Sequence, residues 1–464
     1  MSLRGFDYDV VIIGGGSAGY AAARTAAAAG LRTAVVEGGG EVGGLCILRG
    51  CMPTKALLYA AEVMHLVRHP STWGVLNANP GFDFAQVMAR KDRLIKEFAD
   101  YRHQQLKSGA FEFIRASGRF TDRHSLALSD GRTLTAQSFV IATGSAAAPS
   151  PLPALNELGY LTSDTALSLT SLPRSLIVLG GGSVAVEFAQ FFARFGVRVT
   201  VVQRSAHLLQ EFDADAATEL AQVFRREGIE LYTGTRVLTA RRDAGSKSVT
   251  FLHGDRTVQV SAEEIFVALG RVPSTDSVGL AAAGVATERG RIVTDHGMRT
   301  TAANIYAAGD CTSPYEIVHV AIQQGEIAGH NVAHPENPRQ IDYRLITSVV
   351  FTEPQLATVG LTEKSAQAGS VPYLAASYPF RDHGKALIME AKDGFVKLLA
   401  NPAQGEIVGG CCIGPMGGEL IHEIIAAMHK RMTVHELASM PHYHPTLAEI
   451  WTYPAEELAE KIPQ

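Results

Sequence analysis

The sequence predicts an α/β protein with two similar parallel-sheet regions, followed by an α+β region at the C-terminal end. Three observations carry this prediction. A buried strand, a glycine-rich turn and a helix follow one another near the start of the chain, and the same order returns at 175–189. From about residue 343 the pattern changes to alternating strands that are followed by helices. At 464 residues the chain is also too long for a single hydrophobic core.

The composition is that of a globular protein, with 46% hydrophobic and 19% charged residues. A net charge of −5 gives no reason to expect nucleic acid or an anionic membrane as a partner. The start of the chain lacks a basic segment followed by an uninterrupted apolar one, so we expect no signal peptide and no membrane span. The five cysteines form no framework of structural disulfides, which favours a reducing, cytoplasmic setting.

The first strand, YDVVII at 8–13, is followed by a turn that fits the G-x-G-x-x-G pattern with Gly14, Gly16 and Gly19. In that pattern the first glycine permits a tight turn, the second lets a pyrophosphate approach the backbone, and the third lets helix and strand pack closely. The helix predicted over 18–29 points its positive N-terminus at the phosphate. The next strand ends at Glu37, where an acid that binds a ribose is expected. These features predict a dinucleotide site.

The segment GGLCILRGCMPTK, residues 43–55, places Cys46 and Cys51 five positions apart. In an ideal helix they would be separated by about 7.5 Å along the axis, whereas a disulfide tolerates Cα atoms up to about 7 Å apart. Bonding the two cysteines therefore requires a bent or broken helix start, and three glycines in the segment supply the backbone freedom. A strained, easily reduced pair is one interpretation of this spacing. Two unrelated buried thiols are the other.

Helical patterns follow at 54–69 and 83–107, then short strands over 111–135 and a buried strand that leads into Thr143 and Gly144. The segment 146–153, AAAPSPLP, has the composition of a linker. Further on, a strand at 300–310 ends in Gly309 and Asp310, and a helical stretch covers 318–332. Helices are also predicted at 417–431 and 433–440, within the C-terminal α+β region.

A second fingerprint is formed by Gly180, Gly182 and Ala185, and this unit closes with a strand that leads into Gly270. Its ribose position lacks an acid, because the corresponding strand ends at Gln203 and is followed by Arg204. A carboxylate there would repel a 2′-phosphate, so its loss and the adjacent guanidinium favour NADP over NAD. Alternatively, Gln203 bonds the 2′-hydroxyl and Arg204 is simply solvated. Two such units predict two bound nucleotides and two Rossmann-like dinucleotide-binding domains.

Together these motifs resemble the pyridine nucleotide–disulfide oxidoreductases, the group of dihydrolipoamide dehydrogenase, glutathione reductase and mercuric reductase. GGLCILRGCMPTK resembles the redox disulfide segment of that family, and GGGSAG with Glu37 resembles its FAD fingerprint. VVFTEPQLATVGLTE and HYHPTLAE resemble its dimerisation domain. The resemblance covers nearly the whole chain. It implies an FAD-binding domain at 1–147 and 272–342, an NAD(P)-binding domain at 148–271 and a dimerisation domain at 343–464.

The resemblance also implies roles for individual residues. Cys46 is expected to be the interchange thiol that meets the substrate, and Cys51 the thiolate in charge-transfer contact with the flavin. Lys55 and Glu187 are expected to form an ion pair near flavin N5, where the hydride arrives. The residues expected to bind FAD are Gly14, Gly16, Gly19, Glu37, Lys55, Thr143, Gly144 and Asp310, the last at the ribityl chain. Those expected to bind NADPH or NADH are Gly180, Gly182, Ala185, Gln203, Arg204 and Gly270.

His444 is the expected general acid/base, with Glu449 orienting its ring, and the resemblance implies that both come from the other subunit of a homodimer. An imidazole can take a thiol proton near pH 7 and return it to the leaving sulfur. A carboxylate fixes the tautomer. His442 and His444 together could also suggest a metal, but no cysteine lies near them and the second leads into Pro445, so we expect no metal site.

Three other cysteines and one arginine need an interpretation. Cys411 and Cys412 lie in a predicted strand, so we expect core packing there, and Cys311 is expected to be structural. Arg49 stands between the two redox cysteines, where the family usually has an apolar residue. It is either a solvated side chain, or it lowers a cysteine pKa or contacts an acidic substrate.

The function expected from this resemblance is electron transfer between NAD(P)H and a small disulfide or dithiol, through FAD and the Cys46–Cys51 pair. A dihydrolipoamide dehydrogenase-like activity is the first choice, with membership of a multienzyme complex possible. An NADPH-dependent reductase of glutathione-like disulfides or metal ions is the alternative. A flavoprotein binding subunit or redox sensor with slow turnover is a third possibility.

Overall fold

The computed structural model describes residues 5–76, 80–243, 245–312 and 315–463. The chain divides into two compact units. The first comprises Met1–Ala56, Met88–Ala148 and Gly270–Asp342, and the second comprises Leu57–Val87, Pro149–Leu269 and Tyr343–Gln464.

Strands and helices alternate over 8–36 and 175–232, whereas several strands follow one another directly over 112–147 and 230–307. In chain order the strands are β1 (Tyr8–Ile13), β2 (Thr33–Val36), β3 (Glu112–Ile114), β4 (Gly118–Asp122), β5 (Ser125–Leu128), β6 (Thr133–Ile141), β7 (Ser145–Ala147), β8 (Ser175–Leu179), β9 (Arg198–Val202), β10 (Glu230–Tyr232), β11 (Thr235–Asp243), β12 (Ser246–His253), β13 (Arg256–Ala262), β14 (Glu264–Val267), β15 (Arg271–Pro273), β16 (Thr287–Glu288), β17 (Arg291–Ile292), β18 (Ile305–Ala307), β19 (Thr347–Val350), β20 (Gln355–Gly360), β21 (Leu374–Pro379), β22 (Phe395–Ala400) and β23 (Ile407–Gly414). The helices are α1 (Ser17–Ala28), α2 (Gly44–Leu48), α3 (Cys51–Arg68), α4 (Phe84–Lys107), α5 (Pro153–Leu158), α6 (Ser163–Ala166), α7 (Ser183–Arg194), α8 (Ala214–Arg226), α9 (Val318–Ala333), α10 (Glu363–Ala368), α11 (Gly384–Met389), α12 (Gly417–His429), α13 (Val434–Ser439) and α14 (Thr452–Lys461).

The first unit is built on one large sheet in which β1 lies between β2 and β6 and pairs with both in parallel. The C-terminal end of β6 also pairs in parallel with β18, and the N-terminal end of β6 pairs antiparallel with β5. Because parallel strands end at the same edge of a sheet, the segments that follow β1, β6 and β18 come together there. Helices α1 and α9 pack closely, since an added Cβ at Gly325 would lie 2.2 Å from the Ala18 carbonyl oxygen.

The second unit contains three sheets. One is a parallel sheet in the order β10-β9-β8-β14, and the second is an antiparallel meander of β11, β12 and β13. The third is an antiparallel sheet in the order β19-β20-β23-β22-β21. Its core includes α12, α13 and α14, with Trp451 fully buried. The parallel sheet and the C-terminal antiparallel sheet are the two arrangements that the strand patterns predicted.

The predicted fold class is therefore confirmed, and most predicted helices begin and end within three residues of their observed bounds. Cys311 and Cys412 are buried in apolar clusters, as the core-packing interpretation required, and Cys411 is buried opposite Lys397 of the neighbouring strand. Within the described ranges, no helix combines the length and the apolar character needed to cross a membrane.

Candidate active site

The first glycine-rich turn has the geometry that its pattern predicts. Gly14 has a φ of +109°, and an added Cβ would lie 2.3 Å from the Ala142 carbonyl oxygen, so only glycine fits. A Cβ at Gly19 would lie 1.8 Å from the Gly14 carbonyl oxygen, which is the close contact between helix and strand. At Gly16 an added Cβ meets only the Gly44 Cα, at 3.7 Å. The N-terminus of α1 thus offers room for a phosphate against its backbone.

The carboxylate of Glu37 is fixed beside this turn, directly after β2. Its Oε2 accepts a hydrogen bond from the Gly15 N–H at 2.8 Å, and its Oε1 accepts one from the Gly39 N–H at 2.7 Å. These bonds hold the acid at the carboxyl edge of the sheet, in the position predicted for a ribose ligand.

Asp310 lies at the same edge, a few residues beyond β18. Its Oδ2 accepts a hydrogen bond from the Ser145 hydroxyl at 2.7 Å. The Arg271 guanidinium donates to the Ser145 hydroxyl oxygen at 2.8 Å and to the Ser145 carbonyl oxygen at 2.9 Å. Thr143 and Gly144 lie just after β6, so the structure brings these predicted FAD ligands to the carboxyl ends of neighbouring strands.

The helix is broken between the two cysteines, as their spacing predicted. Helix α2 ends at Leu48, the next residue, Arg49, leaves the helical region with a φ of −143°, and α3 begins at Cys51. Gly44 has a φ of +71°, and an added Cβ would lie 2.6 Å from the Gly16 Cα. The cysteine segment therefore rests directly on the dinucleotide turn, and only glycine permits that contact.

Cys46 and Cys51 lie within side-chain hydrogen-bond reach of each other. The hydrogen bond to Cys51 and burial raise the pKa of the Cys46 thiol, whereas the Lys55 ammonium acts in the opposite direction. A thiol whose pKa is raised is a poor nucleophile until a base takes its proton. Arg49 is exposed to solvent, which favours the solvated interpretation of that residue.

Glu187 is 3% exposed on helix α7 and is held by a neighbouring segment of the second unit. Its Oε1 accepts a hydrogen bond from the Phe351 N–H at 2.9 Å. One turn later, the Gln190 side-chain amide bonds both the N–H of Glu353, at 2.8 Å, and its carbonyl oxygen, at 2.7 Å. The carboxylate is therefore rigidly placed. The ion pair between Lys55 and Glu187 stays a prediction.

The second glycine-rich turn repeats the geometry of the first. Gly180 has a φ of +122°, and an added Cβ would lie 2.3 Å from the Ala268 carbonyl oxygen. Nothing lies within 4 Å of a Cβ added at Gly182, and Ala185 is fully buried under the turn. Gly270 follows β14 with a φ of +111°, and its carbonyl oxygen accepts a hydrogen bond from the Ala148 N–H at 3.0 Å.

Gln203 and Arg204 follow β9 in the positions that select the ribose. The Gln203 side chain is 9% exposed, and its Oε1 accepts a hydrogen bond from the Arg204 N–H at 3.0 Å. A Cβ added at Gly181 would lie 2.9 Å from the Gln203 Cδ, so this amide packs against the turn. The Arg204 side chain is exposed. An uncharged group therefore lines the turn, with a cation next to it.

His444 and Glu449 form a pair in the second unit. The His444 Nδ1 lies 2.9 Å and 3.1 Å from the two carboxylate oxygens of Glu449. Glu449 is 8% exposed in a short 3₁₀ helix, Ala448–Trp451, that the buried Trp451 anchors. The His444 side chain is 78% exposed, so its Nε2 is available to a reacting group. This is the arrangement of a positioned general base.

His442 belongs to a different pair, with its Nε2 2.6 Å from a Glu423 carboxylate oxygen. Among the residues that the structure describes, no group of three or more His, Cys, Asp or Glu side chains is arranged to hold a metal ion.

Comparisons with known proteins agree with this geometry. Residues 8–325 match the family profile described as pyridine nucleotide-disulphide oxidoreductase, and residues 346–455 match the dimerisation domain of the same family. The chain belongs to the pyridine nucleotide–disulfide oxidoreductase family. It is similar to dihydrolipoyl dehydrogenase from Chlamydia muridarum, with 35% identity over 96% of this chain and 95% of that protein. It is also similar to mercuric reductase from Staphylococcus aureus, with 32% identity over 96% of this chain and 81% of that protein.

Solved structures of the same fold include the HOCl-induced flavoprotein disulfide reductase RclA from Escherichia coli, with a TM-score of 0.86 and 27% identity. LpdA from Mycobacterium tuberculosis has a TM-score of 0.86 and 31% identity. Each covers 97% of this chain, and the chain covers 99% of each.

As a member of this family, the chain is an FAD-dependent oxidoreductase that acts on sulfur groups with NADPH or NADH, and its dimerisation domain supports a homodimer. The residues of the first unit fit FAD. The open backbone at Gly16 suits the pyrophosphate, and the fixed carboxylates of Glu37 and Asp310 suit the two sugar-like chains.

One further histidine lies beside Glu449, and no sequence motif pointed to it. His383 is fully buried, and its Nε2 lies 3.3 Å from the Glu449 Oε1, within ion-pair distance but without hydrogen-bond alignment. Burial lowers the pKa of His383, while the Glu449 carboxylate acts in the opposite direction. The segment RDHGKAL around His383 matches no known motif. Its contact with Glu449 is therefore visible only in the fold.

Proposed function

We propose that this enzyme moves electrons between NADPH and a small disulfide, through FAD and the Cys46–Cys51 pair. The observation that carries the proposal is the contact between Gly44 and Gly16, because it sets the broken cysteine helix on the turn that receives the cofactor phosphates. Dihydrolipoamide-like substrates are the first choice, supported by the dihydrolipoyl dehydrogenases that match nearly the full length of the chain.

The residues act as follows in the direction of disulfide reduction. FAD, when bound, would supply the hydride chemistry with the nicotinamide and the two-electron transfer to the cysteine pair. His444 removes the proton from Cys46, and the Cys46 sulfur attacks the substrate disulfide, forming a mixed disulfide and releasing one thiolate that takes the proton back from His444. Cys51 then attacks Cys46, which releases the second thiolate and forms the Cys46–Cys51 disulfide. Lys55 and Glu187 position the flavin edge.

A metal ion is the second candidate substrate. Two thiols close enough to bond each other suit a soft metal ion. One similar protein is named mercuric reductase, and one solved structure of the same fold is a Cu(II) complex of RclA. The lipoyl proposal is favoured because the dihydrolipoyl dehydrogenases match this chain at up to 35% identity.

A substrate screen tests the proposed function. The purified homodimer is assayed with lipoamide, glutathione disulfide, Hg(II) and Cu(II), each with NADPH and with NADH. We expect the highest kcat/KM with lipoamide, and product thiols in a one-to-one ratio of dithiol to oxidised nucleotide. Turnover of a metal ion but of neither disulfide would transfer the proposal to metal reduction. Oxidation of nucleotide by oxygen alone would contradict both and favour a binding subunit or sensor.

We further propose that NADPH is the preferred nucleotide, because Gln203 presents an amide where a carboxylate would repel the 2′-phosphate and Arg204 supplies a cation. Gln203→Glu is expected to lower kcat/KM for NADPH by about tenfold or more and to raise it for NADH. Arg204→Ala is expected to weaken NADPH alone. The exposed Arg225, at the far end of α8, gives a matched control in Arg225→Ala. A wild-type preference for NADH would contradict this assignment.

The domain layout of 1–147 with 272–342, 148–271 and 343–464 remains part of the proposal. Three of its boundaries are supported by the divisions of the chain after Ala148, Leu269 and Asp342, whereas Leu57–Val87, Pro149–Leu269 and Tyr343–Gln464 fall in one compact unit. A cytoplasmic location is supported by the cysteine spacing, because the five cysteines form no framework of structural disulfides. Association with a multienzyme complex would follow if lipoamide proves to be the substrate.

A further inference from the structure

His383 is a buried imidazole that the proposed mechanism does not use. It lies directly before α11, where its N–H donates to the Phe380 carbonyl oxygen at 3.0 Å and its carbonyl oxygen accepts from the Leu387 N–H at 3.0 Å. Its side chain has no exposed surface, and neither ring nitrogen has a hydrogen-bond partner among the described residues. A buried imidazole that has given up water without gaining a partner is costly, so the polar group nearest to it decides what it does.

Aromatic rings pack edge-on against the His383 ring. Its centroid lies 6.5 Å from that of Phe380 and 6.3 Å from that of Tyr453, with interplanar angles of 89° and 81°. Tyr453 in turn stacks on Tyr378, with 4.0 Å between the ring centroids. On its polar side, the His383 Nε2 lies 3.3 Å from the Glu449 Oε1. The aromatic packing thus holds the imidazole against a carboxylate.

Glu449 therefore lies between two histidines of opposite exposure. The His444 Nδ1 lies 3.1 Å from the Glu449 Oε1 and 2.9 Å from its Oε2, and the His444 side chain is 78% exposed. The fully buried His383 approaches the same Oε1. Because one oxygen faces both rings, a hydrogen bond that His383 donates to it reduces the charge with which Glu449 attracts a proton on His444.

The buried ring is neutral near pH 7 and can act as a donor. Burial lowers the pKa of His383, whereas the Glu449 carboxylate acts in the opposite direction. A neutral imidazole has one N–H and one acceptor nitrogen, and the tautomer with its proton on Nε2 directs the N–H toward Oε1. The other titratable groups on the elements around the ring are Tyr453, Tyr378 and Asp382, and burial raises the pKa of Tyr378.

We propose that neutral His383 is a positioning residue, which donates a hydrogen bond from Nε2 to the Glu449 Oε1 and thereby weakens the hold of Glu449 on the proton of His444. The inference rests on the proposed role of His444 as the base for Cys46. The 3.3 Å contact lacks hydrogen-bond alignment, so a small rotation of the ring completes the bond. His444 has to accept a proton from Cys46 and return it to the leaving sulfur, and a carboxylate that held the imidazolium too strongly would slow the return.

Diethyl pyrocarbonate measures the proton on His444 without any substrate, because it acylates a neutral imidazole and not an imidazolium. The oxidised holoenzyme is treated over a range of pH, and peptide mapping gives the rate of acylation at His444. We expect the midpoint of that rate to lie about half a pH unit or more higher in His383→Leu than in the wild type, since the full charge of Glu449 then acts on His444. An unchanged midpoint, or a lower one, would overturn the proposal.

Two amides form a matched pair of variants at position 383. His383→Gln places an N–H group about where Nε2 lies and is expected to keep the wild-type midpoint, whereas the shorter His383→Asn does not reach Glu449 and behaves like His383→Leu. His435→Leu is the control, because it removes an imidazole from α13 whose Nε2 is also shielded and lacks a partner within the described ranges. It leaves the midpoint unchanged. If His383→Leu loses FAD or the dimer, the two amides decide alone, and equal midpoints for them would overturn the proposal.

Kinetics separate positioning from a structural role. His383→Leu is expected to slow the disulfide half-reaction with lipoamide about threefold to tenfold and to leave flavin reduction by NADPH unchanged. In the His444→Ala background the same substitution is expected to have no further effect, because it acts only through His444. An equal loss in both backgrounds would overturn the positioning role. Absence of any disulfide turnover in the wild type would instead contradict the proposed function, while the midpoint at His444 would still decide the role of His383.

Discussion

Replacing Cys51 with serine is expected to abolish disulfide turnover, with a loss of about a thousandfold or more, while NADPH still reduces the flavin. Cys51 is the sulfur that resolves the mixed disulfide on Cys46, and a serine hydroxyl cannot replace it. Anaerobic titration with NADPH measures how many electrons each site takes up. The wild type is expected to accept about four electrons per site, two on FAD and two on the cysteine pair, and Cys51→Ser about two.

The two cysteines are expected to differ in a second readout. Cys46→Ser loses turnover to the same extent but keeps the Cys51 sulfur, so its long-wavelength absorbance persists, whereas in Cys51→Ser that absorbance is lost. Cys411→Ser, in the buried strand β23, is the matched control because it removes a thiol far along the chain from the redox segment. Uptake of four electrons by Cys51→Ser, or full turnover in either variant, would contradict the assigned pair.

The features that the sequence predicted well are those set by neighbouring residues. The turn at Gly14 and the break between Cys46 and Cys51 follow from local backbone sterics, and both can be argued from spacing and glycine content alone. Glu37 and Gln203 lie beside the glycine turns, directly after β2 and β9, as their fixed distance along the chain predicted, and their contact with ribose stays a prediction. In each case the feature depends on residues that are close together in the sequence.

The features that the sequence did not predict depend on contacts between distant segments. The Glu187 carboxylate is held by a backbone N–H that lies 164 positions away. The Arg102 guanidinium stacks on the ring of Tyr20, which lies on another helix. His383 lies beside the carboxylate of Glu449. Neither residue type carries a local signal, since an arginine on a charged helix is most often solvated and a lone histidine most often belongs to the core. Only the tertiary fold shows which groups these side chains contact.

His444→Ala is expected to lower kcat with a disulfide by a factor of about 10² to 10⁴ and to leave the rate of flavin reduction by NADPH unchanged. Because the pKa of Cys46 is raised, its sulfur needs a base before it can attack. The His444 side chain is largely exposed, so removing it should not affect folding. Stopped-flow measurement of the two half-reactions separates the effects. A slower NADPH half-reaction would mean that His444 acts elsewhere.

Subunit complementation decides whether His444 serves the cysteines of its own chain or those of the partner. Chains carrying Cys46→Ser and chains carrying His444→Ala are co-expressed with different tags, and the heterodimer is isolated. If the site is built across the two-fold axis, the heterodimer has one intact site, which combines Cys46 of one chain with His444 of the other, and about half of the wild-type activity returns. If each site uses one chain, both sites of the heterodimer are damaged and activity stays at the level of the two inactive homodimers. The dimer would then be needed for stability alone, because no catalytic group would cross the interface.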